Sequence, residues 1–329
     1  PNSKEMIGFF QRNDTLFQVA DFNEKGFVLS SFDGEKNYLI PENESEVLKF
    51  TLDKKESRVS LNEFTVVDLV AKSNFEALVA KGIQCIKNYE FNKVVLSRKE
   101  TVAVADFDLL SAFEKLVQLY PSTFVYCFYH PKIGTWLGAT PEQLLKANDT
   151  VFETISLAGT QKDMGSSEII WEKKEKEEQQ FVTDYIVSKL ESVASEVVVT
   201  EPYSIKAGSI WHIRTDISGR LNSDSSLQKV IHLLHPTPAV CGLPKNSAKA
   251  FILENEPHDR HFYSGFLGEL NSSFSTNSRS SDLFVNLRCM QIEDSKAHLY
   301  MGCGITKDSI PEKEWEESVN KSMTIKKVL

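Results

Sequence analysis

The chain has 329 residues, 41% of them hydrophobic, enough to bury a large core in one large domain or two medium ones. Its formal charge is −9 and no Lys/Arg-rich run interrupts it, which argues against nucleic acid or an anionic membrane as partner. No apolar run is long enough to span a bilayer and no charged-then-apolar leader opens the chain, so a cytoplasmic protein is expected, with Pro1 reading as a trimmed start.

Short apolar runs alternate with polar turns over the first sixty residues: Ile7 to Phe10, Leu16 to Ala20, Gly26 to Phe32 and Tyr38 to Ile40. This pattern predicts antiparallel strands and hairpins. A helix is expected over Phe75 to Tyr89, a strand over Lys93 to Arg98, a helix over Leu109 to Leu119 and a strand over Phe124 to Tyr129, with Pro121 as the stop before it. Trp136 to Glu142 reads as a strand running into a turn, and Phe152 to Ala158 as a strand ending at Gly159. A long charged helix is predicted over Glu168 to Val193. His232 to Gly265 carries Pro236 and Pro238, which exclude a regular helix or central strand around Thr237, and Gly242 followed by Pro244, which reads as a turn. A helix then follows over Ala248 to Glu254 with Asn246 or Ser247 as N-cap. Glu256 to Arg260 is a further loop, whose acid and base can pair with each other. Strands over Phe284 to Ile292 and His298 to Met301 and a helix over Glu312 to Ile325 complete the chain. Strands and helices without strict alternation predict an α+β fold, with mainly antiparallel sheets packed as a sandwich and flanking helices, in a single domain over 1–329. The five cysteines are scattered without Cys-x-x-Cys, so reduced thiols are expected, with no zinc site.

Several residues look chemical. At 100° per residue, Trp171, Glu175, Glu178, Val182, Tyr185, Ile186 and Val193 fall on one helical stripe, which places two carboxylates on a face expected to be buried. Spaced i to i+3, they can share a hard cation such as Mg2+, or pair with Lys189. On the last helix Glu314, Glu317 and Lys321 line one face and Trp315, Val319 and Met323 another, so a solvated acidic face is the default there. Gly302-Cys303-Gly304 is a strand end able to expose backbone N–H groups to an anion. Arg288 interrupts an otherwise apolar strand, and a buried guanidinium needs an anionic partner. Lys93 opens the strand Val94-Val95-Leu96, as a solvated edge lysine or as a half-buried base.

Taken together, Phe91 to Arg98, Gly138 to Glu142, Leu157 to Thr160, the Lys174-Glu175-x-x-Glu178 helix, His235 to Gly242, Leu287 to Cys289 and Gly302 to Ile305 resemble the chorismate-utilising enzymes, and within them the isochorismate synthases. These seven segments stand in order between residues 91 and 321; the first ninety residues are less diagnostic.

The resemblance implies an Mg2+-dependent isomerisation of chorismate, in which water adds at C2 as the C4 hydroxyl leaves, in menaquinone or siderophore biosynthesis. It implies Lys93 as general base and Glu142 as general acid, the lysine neutral and the acid protonated when they act. Glu178 and Glu317 would hold Mg2+ with Glu175 and Glu314 as further ligands, which overturns the solvated-face default. Arg288, the Gly302 amide and Lys321 would bind the side-chain carboxylate, Gly159 and Thr160 would face the ring carboxylate, His212 matches an active-site histidine, and Ala239 would lie beside the ring. Lys93 favours water over ammonia as nucleophile, since ammonia users of the family tend to carry Gln there, and implies a monomer without an amidotransferase subunit. Ala158 and Ala239 likewise differ from the aminodeoxychorismate and salicylate branches. Two departures stand out: Gln179 where the family often has histidine, and a short N-terminal region. The runner-up function is a salicylate synthase that also eliminates pyruvate, and the rival from another class is a silent anion-binding partner subunit.

Overall fold

A computed structural model describes residues 5–51, 68–162, 169–207, 210–272 and 279–329. The chain opens with β1 (Glu5–Gln11), β2 (Phe17–Gln18), β3 (Gly26–Ser30), β4 (Asn37–Pro41) and β5 (Ser45–Thr51). The first four answer the alternating runs expected there. β5 was not expected, because six of its seven residues lie at the surface or only half-buried and it has no apolar rhythm to read. Helix α1 (Leu69–Lys87) starts six residues before the predicted Phe75, because the Asp68 side chain accepts the backbone N–H groups of Val70 and Ala71 at 3.0 and 2.9 Å.

Next come β6 (Lys93–Ala103), α2 (Leu109–Leu119), β7 (Phe124–His130), β8 (Gly134–Thr140), β9 (Gln143–Asn148), β10 (Val151–Lys162) and α3 (Lys173–Leu190). α3 is shorter than the 168–193 expected, and residue 168 lies outside the described residues. β11 (Ala194–Val199), β12 (Tyr203–Ala207), β13 (Ile210–Leu221) and α4 (Leu227–Leu234) then fill a region in which no element was predicted. The chain ends with β14 (Gly242–Leu243), α5 (Lys245–Asn255), β15 (Phe266–Leu270), β16 (Ser280–Val285), β17 (Cys289–Glu293), β18 (Lys296–Ile305) and α6 (Pro311–Lys326). Two expectations are corrected here. α5 begins at Lys245 with Pro244 at the N-cap, not at Asn246 or Ser247, because the preceding Gly242–Leu243 is taken up in pairing with β6. The single strand over Phe284 to Ile292 is two strands, broken where Asn286 exchanges backbone hydrogen bonds with Ser264 and Gly265 and where Arg288 adopts φ +47°.

Every pairing is antiparallel. β14-β6-β18-β17-β8-β7 form one sheet, and β11-β13-β10-β9-β16-β15-β3-β4-β2, with β12 on β13, form the other; β1 and β5 make a separate ribbon. The two large sheets meet face to face. Leu29, Ile40 and Leu267 from one pack with Tyr126, Phe128, Trp136 and Tyr300 from the other, and Trp136 stacks on Tyr300 with ring centroids 5.4 Å apart. On the outer side of the first sheet, Phe75 of α1, Phe251 of α5 and Trp315 of α6 cover Val94, Leu96 and Ile305. Val182, Ile186 and Leu190 of α3 pack on Phe152 and Ile217 of the second. The expected sandwich with flanking helices is what the chain forms. No helix of the described residues is long and apolar enough to cross a membrane.

Two of the points at which the chain passes between the large sheets are neighbours, from β8 to β9 through Pro141-Glu142 and from β16 to β17 through Asn286 to Arg288. These crossovers are bonded to each other: Val285 N donates to Glu142 O at 2.9 Å, Thr140 Oγ1 to Val285 O at 2.5 Å and Ala139 N to Arg288 O at 3.1 Å.

A buried ion pair holds the third piece of chain that reaches this point. Glu256 and Arg260 have side chains only 2% and 3% exposed. Glu256 accepts from the Ser97 amide and hydroxyl at 2.6 and 2.8 Å and from Arg260 Nε at 2.8 Å. Arg260 also donates to Val240 O at 3.0 Å, Ser264 Oγ at 3.0 Å and Val95 O at 2.7 Å, and its guanidinium lies 4.3 Å over the Phe32 ring. Removing one member leaves the other as an uncompensated buried charge. Arg260→Met is therefore expected to lower the unfolding free energy by about 3–5 kcal/mol in urea titrations, and the double variant with Glu256→Gln to recover a large part of that loss.

Candidate active site

Lys93 is the first residue of β6, and it is not a solvated edge lysine. β14 pairs with β6 on one side and β18 on the other, with Leu243 opposite Lys93 and Ile305 opposite Val94. Its side chain is 16% exposed, and Nζ donates to Glu178 Oε1 at 3.2 Å across to α3. Glycine makes room for it: a Cβ on Gly304 would come within 3.3 Å of Lys93 Cε. Glu178 and Glu314 line one cavity of about 300 Å3 with Gly304, Thr306 and Ser309. The carboxylates of α3 sit at the margin of its packed stripe. Its buried centre is Gln179, Val182, Thr183, Ile186 and Leu190, with the Gln179 amide donating to Thr183 and Thr215 hydroxyls at 2.9 and 2.8 Å. Lys189, considered above as a partner for these acids, instead lies 5.6 Å from the Tyr185 ring centroid.

Glu142 sits at the first sheet crossover. Burial pushes its carboxyl up to about 7, against the opposing pull of Lys93, the Thr237 hydroxyl, Arg288 and Lys321. Arg288 stands at the second crossover, in the left-handed region that side chains rarely adopt. It donates to Thr324 Oγ1 at 3.2 Å, and among the described residues no carboxylate lies within ion-pair distance of it. Burial lowers its proton affinity, while Tyr120, Tyr263, Glu142 and Glu317 act to raise it. A half-buried guanidinium without a contacting carboxylate is a ready partner for an anionic ligand.

The glycine predicted to end a strand lies inside β10, where Gly159 forms a bulge at φ +70° between Ala158 and Thr160. Its carbonyl faces His212 Nδ1 at 3.0 Å, and burial lowers the proton affinity of that imidazole, leaving it neutral. Thr160 is opposite His212 in the β10–β13 ladder; its side chain lies outside the described residues. Glu175 completes a capping box, with Oε2 accepting from Glu172 N at 2.8 Å and Oε1 from Gln161 Nε2 at 3.1 Å. On α6, Lys321 Nζ donates to Gly302 O at 2.8 Å and pairs with Glu317 at 2.6 Å. Ala239 is half-buried in the turn that Thr237 O closes by accepting from Val240 N and Cys241 N at 3.1 and 3.0 Å.

Ligand atoms of Cys303, Glu314 and Glu317 lie within 4.8 Å of one another. Burial first, and then the charge of Glu317, raise the proton affinity of Glu314, partly offset by a hydrogen bond from Ser309. Two carboxylates crowded in this way fit a divalent cation. The Cys303 thiol, pushed by burial up to about 12, stays protonated, so the donor set is one of hard oxygens.

Sequence reasoning missed Thr237, which it treated as part of a proline-rich connection, and Cys303 as a neighbour of the acidic pair. It named Glu256 and Arg260 as a self-pairing loop, and their hydrogen bonds to Val95, Ser97 and Val240 came only with the fold.

Known proteins resemble this chain in sequence and in fold. The family model described as "Chorismate binding enzyme" matches residues 31–329. Isochorismate synthase EntC of Escherichia coli is 30% identical over 278 residues, spanning 81% of this chain and 69% of the relative. Among solved structures, MenF of Escherichia coli, a menaquinone-specific isochorismate synthase, superposes with a TM-score of 0.80 at 23% identity over 100% of this chain and 89% of its own. DhbC of Bacillus anthracis gives 0.79 at 23% identity over 99% and 96%. With the family model covering nine-tenths of its length, the chain belongs to the chorismate-binding enzymes.

Proposed function

We propose that this protein is an isochorismate synthase, converting chorismate to isochorismate. The observation that carries the reading is the Glu142 carboxyl, which burial pushes up to about 7 so that it holds a proton near neutrality while facing Lys93. A base and an acid in one cleft are what water addition at one ring carbon and hydroxyl loss at another require. In this reading Lys93 takes a proton from water as its oxygen bonds to C2. The ring double bond shifts, the C4–oxygen bond breaks, and Glu142 gives its proton to the departing hydroxyl. One water enters, one leaves, and the ring is isomerised.

The two carboxylates of chorismate need separate holders. Arg288, which has no contacting carboxylate among the described residues, and Lys321 beside Gly302 would take the side-chain carboxylate. Gly159, Thr160 and neutral His212 would line the ring carboxylate, and Ala239 would lie against the ring. Glu314 and Glu317, with Glu178 across the cavity and Glu175 behind it, would hold Mg2+. Bound there, the cation would neutralise the ring carboxylate and act as a Lewis acid. Lys93 as an activator of water supports a single chain that works without an ammonia-supplying partner. An acidic protein can take a dianionic substrate because these cations are local.

The decisive test incubates the protein with chorismate and Mg2+, with an EDTA control, and resolves the products by chromatography. Metal-dependent isochorismate without pyruvate is expected. Salicylate with pyruvate would move the chain to the salicylate branch, and unconverted chorismate would reject the enzyme reading. Lys93→Ala should reduce kcat by about a hundredfold or more while shifting stability by less than about 1 kcal/mol, since its partner Glu178 is part-exposed; full turnover would remove the base assignment. Glu178→Gln should raise the Mg2+ concentration for half-maximal activity by about tenfold, and an unmoved titration would reject its role as a ligand.

A further inference from the structure

The turn between α4 and β14 is held more tightly than a connection needs to be. Lys245 Nζ donates to the carbonyls of His232, Leu233 and His235 at 3.1, 3.0 and 2.9 Å, and Arg260 holds Val240 O at 3.0 Å. Between these anchors stands Thr237, flanked by Pro236 and Pro238, its carbonyl fixed by Val240 N and Cys241 N at 3.1 and 3.0 Å. So rigid a frame aims the side chain. The Thr237 hydroxyl is buried and makes no hydrogen bond of regular geometry among the described residues, yet it stands near enough to the Glu142 carboxyl to favour its ionised form. Buried hydroxyls are normally satisfied, so an orphan beside a reactive group points to a partner it meets in another state.

That group is Glu142, which the hydroxyl faces from the turn, while Lys93 faces it from β6, Arg288 from the second crossover and Lys321 from α6. We propose that Thr237 is a positioning residue for Glu142: its hydroxyl fixes the direction of the carboxyl and donates a hydrogen bond to the carboxylate left when the proton has been given away. A hydroxyl suits this task because it can accept from the protonated acid and donate to the ionised one by rotating. The three cations favour the ionised acid through charge alone and impose no direction on its two oxygens; a single hydroxyl on a fixed turn does. The inference rests on the acid role proposed above for Glu142, and the test separates the two.

Glu142 would be titrated by infrared difference spectroscopy of its carboxyl band in otherwise wild-type protein, in Thr237→Val and in Thr237→Ser, with Glu142→Gln as the subtraction. The wild-type midpoint is expected near about 7. In Thr237→Val it should rise by about one unit, and Thr237→Ser should restore it. Turnover of chorismate should follow, with kcat down about tenfold in the valine variant, KM nearly unchanged and activity recovered by serine. A Glu142 midpoint that stays put in folded Thr237→Val overturns the proposal, as does a variant that only lowers the urea midpoint. A midpoint that moves while Glu142→Gln keeps full turnover upholds the link between the two residues and overturns the acid role instead.

Discussion

Glu256 and Arg260 form a charge pair with almost no access to water, and the geometry of the site depends on it. Burying two such ions is tolerable only where their remaining donors and acceptors are satisfied. Here Ser97, Val95, Val240 and Ser264 supply those partners. Because they come from β6, from the turn before β14 and from the loop before β15, satisfying the pair fixes three separate segments against one another. β6 carries Lys93 and the turn carries Thr237 and Ala239. The same hydrogen bonds that make the ion pair bearable hold Lys93, the proposed base, in register with the Thr237–Ala239 turn.

Glu142, the proposed acid, is placed by a different device. Sheets in a sandwich are joined by strands that change layers, and at each change the backbone leaves the ladder and side chains are aimed along the seam. Glu142 and Arg288 occupy two such neighbouring crossovers, bonded together through Val285 and Ala139. Glu142 thus lies at the seam of the two sheets, where burial of its carboxyl raises its proton affinity while Lys93, the Thr237 hydroxyl, Arg288 and Lys321 oppose that rise. Burial and the cations pull in opposite directions, and the balance falls near neutrality, where an acid both holds its proton and releases it readily. The crowding of Glu314 and Glu317 supplies the opposite sign close by, with Glu317 in contact with Lys321 at 2.6 Å.

Much of this was legible in advance where local rules act alone. α2 starts and stops where predicted because Asp108 caps it and Tyr120-Pro121 ends it. The strand beginning at Lys93 was visible as Val94-Val95-Leu96, all three buried. Elements went unseen where burial is one-sided or weak. β5 and β11 are mostly solvent-facing and carry no clear alternation. β13 mixes Trp211, His212, Arg214 and Asp216 into its run, because part of it faces the cleft and Arg214 pairs with Asp216 at 2.6 Å on its surface. The strand read as continuous through Arg288 looked regular by composition, and only pairing with Ser264 and Gly265 breaks it.

By itself the sequence determined the family, the antiparallel α+β character and the residue types of the site, because these rest on the order of motifs and on period-two and 3.6-residue patterns that a chain carries locally. Tertiary structure decided the proton on Glu142, the partner of Lys93, the companionship of Cys303 with two acids and the orphan state of the Thr237 hydroxyl. Each of these depends on how far a group is removed from water and which charges stand a few ångströms away, and those quantities are set by segments more than a hundred residues apart in places, such as Lys321 and Glu142.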